Sequence, residues 1–123
     1  VEDHDDVIDE EILSELLTIV GEAEPEGLTK AFELFLTGVP ARLDAVETAL
    51  AEGRLEAAAQ SAHSLRGSAG AFGARRLSVL AARQELLCNG GDGAGAAALL
   101  GPMHAQFATV QAILRDRLTS LAA

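Results

Sequence analysis

Between Leu28 and Leu50 the apolar residues Leu28, Phe32, Phe35, Val39, Leu43, Val46 and Leu50 recur at intervals of four, three, four, four, three and four. That spacing follows one face of an α-helix and does not match the alternation of a strand. Gly38 and Pro40 interrupt the run. A proline inside a helix removes a backbone hydrogen bond, costs ~3 kcal/mol, and ends or bends the helix. The stripe continues in phase beyond Pro40, which predicts one bent helix over 26–51 rather than two.

The rest of the chain carries the same period. A first helical segment over 9–21 places Ile12, Leu13, Leu16, Leu17 and Val20 on one side, and Pro25 after the loop suits a first helical turn. A third helix starts near Arg54, buries Leu55, Ala58, Ala59, Ala62, Leu65, Ala69 and Phe72, and stops at Gly73. A fourth covers 74–88 with Leu77, Leu80, Ala81, Gln84 and Leu87 inward. Asn89-Gly90-Gly91-Asp92-Gly93 is the clearest loop, and a last helix over 94–121 carries Leu100, Met103, Phe107, Val110, Leu114 and Leu118, with Gly101-Pro102 kinking its first turns. There is no internal repeat. The apolar content is mostly Ala and Leu, the strongest helix formers, with four Phe and no Trp or Tyr. Short connections make consecutive helices antiparallel. The expected fold is therefore all-α: an up-down four-helix bundle with an additional short N-terminal helix, one domain over 9–123 after an acidic tail or linker over 1–8.

The formal charge of −10 argues against nucleic acid and anionic lipid as partners. Much of the acid lies at the front, in Glu2, Asp3, Asp5, Asp6, Asp9, Glu10 and Glu11, as expected of a solvated lead-in to a helix whose dipole favours it. With one cysteine, Cys88, no disulfide forms within the chain, which suits a reducing compartment and a cytoplasmic location. No run approaches the ~18 apolar residues of a membrane span, and no signal-peptide pattern opens the sequence.

The third helix conflicts with its own pattern in the stretch His63-Ser64-Leu65-Arg66-Gly67-Ser68-Ala69-Gly70-Ala71-Phe72-Gly73. Gly67 and Gly70 each cost ~1 kcal/mol relative to Ala inside a helix. Such conflicts are expected mainly at functional sites. At about 100° per residue, both glycines share the face of His63, and Arg66 lies ~60° to the other side. His63 sits at the edge of the core stripe, one step towards solvent. The result is an imidazole beside a strip without side chains, where another protein can approach, flanked by a guanidinium. A neutral imidazole nitrogen is a good nucleophile near pH 7. A phosphorylated one bears nearly two negative charges by analogy with other phospho-residues, and a planar guanidinium binds phosphate well.

His63-Ser64-Leu65-Arg66-Gly67-Ser68, followed by Phe72-Gly73-Ala74, resembles the motif of histidine-containing phosphotransfer (HPt) domains: His-x-Leu-Lys-Gly-Ser, three residues, then an apolar residue and Gly-Ala. The similarity extends over nearly the whole chain. Asp9 with Leu13 and Leu16 resembles the family's opening helix, residues 35–53 with Pro40 its long second helix, and Ala62 also fits. Glu85 falls where members often carry Gln or Glu near the imidazole. Arg66 departs from the commoner Lys but keeps the charge. The resemblance implies a phosphoryl carrier without kinase activity. It would accept phosphoryl on the Nε2 of His63 from an aspartyl-phosphate of a response-regulator receiver domain and pass it to another receiver. A sensor histidine kinase is a further candidate partner. It also implies no cofactor in this chain, the Mg²⁺ belonging to the receiver. The phased stripes themselves predict a monomer, and the acidic charge predicts no contact with membrane or nucleic acid.

Simpler readings apply to the other candidates. His4 in the tail and His104, alone on the last helix, are expected to be non-functional. No metal site is expected, because the residues three before His63 and His104 are Gln60 and Gly101 rather than acids. Ser64 and Ser68 lack an attendant base and acid, and Cys88 is a semi-buried filler. Arg75, Arg76 and Arg83 are either ordinary solvated charges or a basic rim for docking a receiver. Phe72 is either core or docking surface. Gln60 and Gly70 join Glu85 as candidates for contact with the imidazole or with a partner. Two other functions compete: the phosphoacceptor domain of a chemotaxis-type histidine kinase, and a non-catalytic helical adaptor. A dimerising kinase core fits less well. It places an acid after the histidine and a proline soon after, where this chain has Ser64 and Ser68, and no glycine-rich nucleotide motif is present.

Overall fold

A computed structural model describes residues 4–23 and 25–122. The side chains of His4, Val20, Glu2, Asp3 and Asp5 lie outside the described residues. Seven helices follow one another among the described residues: α1 (His4–Val7), α2 (Glu10–Ala23), α3 (Pro25–Ala51), α4 (Leu55–Ala71), α5 (Arg75–Asn89), α6 (Gly93–Ala98) and α7 (Leu100–Ala122). There is no strand among them. The long helices α3, α4, α5 and α7 form the bundle, with α4 against α5 and α3 against α4 the most extensively packed pairs.

The phased stripe of α3 runs unbroken through Pro40, and Phe32, Val39, Leu43 and Val46 are fully buried. Facing them are Ala58, Ala62, Leu65 and Ala69 of α4, Leu77 and Ala81 of α5, and Met103, Val110 and Leu114 of α7. The helices alternate in direction. Phe32 and Phe35 near the start of α3 meet Phe72 just past the end of α4, whereas at the other end the Arg54 N–H donates to the carbonyl of Ala49. Along the next pair, His63 meets Glu85 while Arg66, further on in α4, meets Ser78, further back in α5.

Glycines make the reversals. At Gly73 (φ 75°) the Gly73 N–H donates to the Gly70 carbonyl and the Ala74 N–H to that of Ala69. This is the paired bonding that ends a helix at a left-handed residue, a conformation costly to any side chain with a Cβ. Gly53 and Gly91 end α3 and α5 in the same way.

Three features differ from the sequence expectation. The last helix is two helices, α6 and α7, separated at Leu99. Pro102 has no N–H to give the Ala98 carbonyl, so the ladder breaks there rather than bending. Val7 and Ile8, placed in the acidic tail, are buried in the core, so the packed body begins before residue 9. Ile12, assigned to the buried side of the first helix, is 39% exposed, while its neighbour Leu13 is fully buried.

Candidate functional site

His63 lies near the middle of α4 with its side chain 59% exposed. The core side of the helix is set by Ala58, Ala62, Leu65 and Ala69, and His63 is one step of 100° away from Ala62 towards α5. Two groups reach its ring, and both reach Nδ1. A carboxylate oxygen of Glu85 in α5 is 2.9 Å away, and Nη2 of Arg66, one turn along α4, is 3.0 Å away. Arg66 also pairs with Glu85 at 3.5 Å. Among the described residues no hydrogen bond is made at Nε2.

The two contacts at Nδ1 make opposite demands. A carboxylate only accepts, so Glu85 requires a proton on Nδ1, whereas a guanidinium only donates and requires the lone pair there. The arrangement that satisfies all three groups puts the proton on Nδ1, donates it to Glu85, and holds Arg66 through its ion pair to the same carboxylate. The lone pair then sits on Nε2, on the opposite edge of the ring. An acidic partner on one ring nitrogen sets the tautomer of the other in this way.

The two glycines of α4 differ in what surrounds them. A Cβ built on Gly67 meets nothing within 4 Å. One on Gly70 meets the Ser78 hydroxyl at 3.5 Å, an ordinary contact, so Gly70 faces the α4–α5 seam while Gly67 faces open space. Beside His63 a groove of about 450 Å³ is lined by Glu56, Ala59, Gln60, Ser64, Glu85 and Asn89.

The other candidates separate. Gln60 is exposed and lines this groove. Phe72 is half-buried and stacked on Phe35, with ring centres 4.4 Å apart, and edge-on to Phe32 at 5.6 Å. It closes the end of the core. Arg75 is ion-paired with Asp9 at the start of α2, so it ties two elements together. Its hydrogen bond, with the Ile12 N–H second, lowers the Asp9 carboxyl below its ordinary value. Arg76 and Arg83 are exposed on α5. Arg66 is brought to the ring, but on its Nδ1 side. To meet a group carried on Nε2 its side chain, 44% exposed, has to swing to the other edge. Burial pushes the Cys88 thiol up. Asn89 and Ser78, which no sequence motif marks, also border the site. Their signal is register: Asn89 lies one turn after Glu85 and Ser78 two turns before it, on the same face of α5.

Among the described residues no three His, Cys, Asp or Glu side chains come together in a way that holds a metal ion, and no helix is long and apolar enough to cross a membrane. The bundle thus carries an exposed imidazole whose Nδ1 is met by a carboxylate and a guanidinium. The Hpt domain model matches residues 30–123, and the chain belongs to that family. It is a phosphotransfer domain of two-component phosphorelays, and Hpt domains work with receiver domains. In fold it is similar to the crystal structure of histidine-containing phosphotransfer protein B from Pseudomonas aeruginosa PAO1. The TM-score is 0.82 at 24% identity, over 90% of this chain and 93% of that one. Comparison with curated proteins finds no match.

Proposed function

We propose that this chain is a phosphorelay intermediate that takes a phosphoryl group onto Nε2 of His63 from a receiver aspartyl-phosphate and gives it to a second receiver. The observation that supports this most directly is the pairing of Nδ1 with Glu85 at 2.9 Å while Nε2 has no partner among the described residues.

The step balances simply. The Nε2 lone pair forms the N–P bond as the P–O bond to the donor aspartate breaks, and the electron pair stays on that aspartate as carboxylate. The ring gains positive charge as its lone pair is shared. The Nδ1–H spreads that charge onto the Glu85 carboxylate, a charge-assisted hydrogen bond that strengthens as the reaction proceeds. Arg66 swings from the Glu85 side to the phosphoryl oxygens, where its planar fork matches them. Gly67 leaves the approach to Nε2 open. The chain acts as a monomeric carrier. The Mg²⁺ that activates the aspartyl-phosphate belongs to the receiver, and the chain needs no cofactor of its own.

The experiment mixes the chain with a phosphorylated receiver and follows label on the 123 residues over time. Acid-labile, alkali-stable label is expected on the wild type and none on His63→Gln, with unchanged helicity. Arg66→Ala should label more slowly or lose its label sooner, and Arg66→Lys should stay near wild type. Full labelling of His63→Gln would move the site elsewhere. Labelling by an ATP-dependent kinase domain but by no receiver would assign the chain to a chemotaxis-type kinase instead.

A further inference from the structure

Among the described residues two side-chain hydrogen bonds, besides the Arg66–Glu85 ion pair, cross the seam between α4 and α5 on the side of His63. One joins Glu85 to Nδ1 of His63. The other is made by Ser78, half-buried on α5, whose hydroxyl donates to the backbone carbonyl of Arg66 at 3.0 Å. A helical carbonyl has a second lone pair beyond its i+4 bond, so Arg66 accepts this proton without leaving the ladder. Ser78 and Glu85 are seven residues apart, two turns on one face of α5, and Arg66 and His63 are three apart on one face of α4. The seam beside Ser78 is close, since a Cβ on Gly70 would lie 3.5 Å from its hydroxyl.

We infer that Ser78 is a positioning residue for phosphotransfer: its bond to the Arg66 carbonyl fixes the rotation and register of α5 that bring the Glu85 carboxylate onto Nδ1. The inference rests on His63 being the phosphoacceptor. Apolar packing alone holds a helix pair but permits small sliding and rotation, because ridges of Ala and Leu are nearly interchangeable along the axis. Two directional bonds, about 10 Å apart along α5, remove both freedoms. The bond also falls on the residue whose guanidinium touches both His63 and Glu85, so one change in register disturbs all three groups at the ring.

The test replaces Ser78 by Ala, a good helix former that removes only the hydroxyl, and by Cys, nearly the same size but a weak donor. The tautomer of His63 is read from its imidazole ¹⁵N shifts, and the rate of label uptake from a phosphorylated receiver is measured in parallel. The wild type should hold its proton on Nδ1. Both variants should raise the population with the proton on Nε2 and slow transfer roughly three- to tenfold, the worth of one hydrogen bond. In a Glu85→Ala background, Ser78→Ala should slow transfer no further, because its effect passes through Glu85. An unchanged tautomer in both Ser78 variants overturns the inference, as does equal slowing with and without Glu85. If no variant, wild type included, takes label from a receiver, the functional reading falls, while the tautomer measurement still decides whether Ser78 sets the ring.

Discussion

Gly67 and Gly70 are alike in sequence and separated by what surrounds them. Gly67 borders open space, so its helical cost has no structural return. Replacing it by Leu should keep the fold and stabilise it by up to about 1 kcal/mol, a few degrees in Tm by thermal unfolding. The same change should reduce labelling strongly, because a side chain would stand between Nε2 and the incoming receiver. A Gly67→Leu protein that failed to fold would instead make the glycine a packing residue. Glu85 acts by what it accepts, and Glu85→Gln can still take the Nδ1 proton but carries no charge. Transfer should slow less than in Glu85→Ala, and equal losses in a labelling assay would remove the tautomer role. Cys88 is buried with its thiol pushed up, so it should react with thiol reagents only slowly in the native state.

Between elements, one carboxylate performs several tasks. Asp9 accepts from the N–H groups of Glu11 and Ile12 at 3.1 and 3.3 Å, capping α2. Its second oxygen holds Arg75, and its own N–H donates to the Gly73 carbonyl at 2.6 Å. A Cβ on Gly73 would lie 2.8 Å from the Asp9 carbonyl, so the glycine is needed for this approach as well as for its φ. Arg75 and Arg76 open α5, where the helix dipole disfavours cations and no acid stands in the first turn. Asp9 supplies that acid from another element. Its carboxyl is lowered, by Arg75 foremost, so ionised Asp9 favours the folded state. The contribution is full above the unfolded value of about 4 and is lost as pH falls through the lower folded value. Asp9→Ala should therefore lower Tm at pH 7, and the gap to wild type should narrow by pH 3. A gap equal at both pH values would show that the carboxylate charge plays no part.

For the molecule as a whole, the four phenylalanines decide where the bundle closes. Phe35 lies between Phe72, at 4.4 Å, and Phe107, at 6.3 Å, while Phe32 meets Phe72 edge-on, so the cluster joins α3, the end of α4 and α7. Phe32→Ala, at a fully buried position, should cost about 3–5 kcal/mol in urea unfolding. Phe72→Ala should cost less, since its ring is half-buried. If Phe72→Ala left stability untouched and weakened receiver binding, its role would be docking rather than closure.

The local chemistry of the chain was enough to place the long helices. Their apolar period, the turn glycines and the phase held across Pro40 are properties of neighbouring residues, and so is the conflict of Gly67 and Gly70 with the helix that carries His63 and Arg66. Where α2 turns Ile12 outward and where the core takes in Val7 and Ile8 depend on packing partners distant in sequence, whereas the division at Leu99 follows from nearby Pro102. The same holds at the site. Spacing along α4 put a guanidinium near an imidazole, but which nitrogen it meets is settled by Glu85, twenty-two residues away on another helix. A periodic pattern reports which face of a helix is apolar. The rotation and register between two helices come from the contacts that cross their seam, and those form only when the chain has folded.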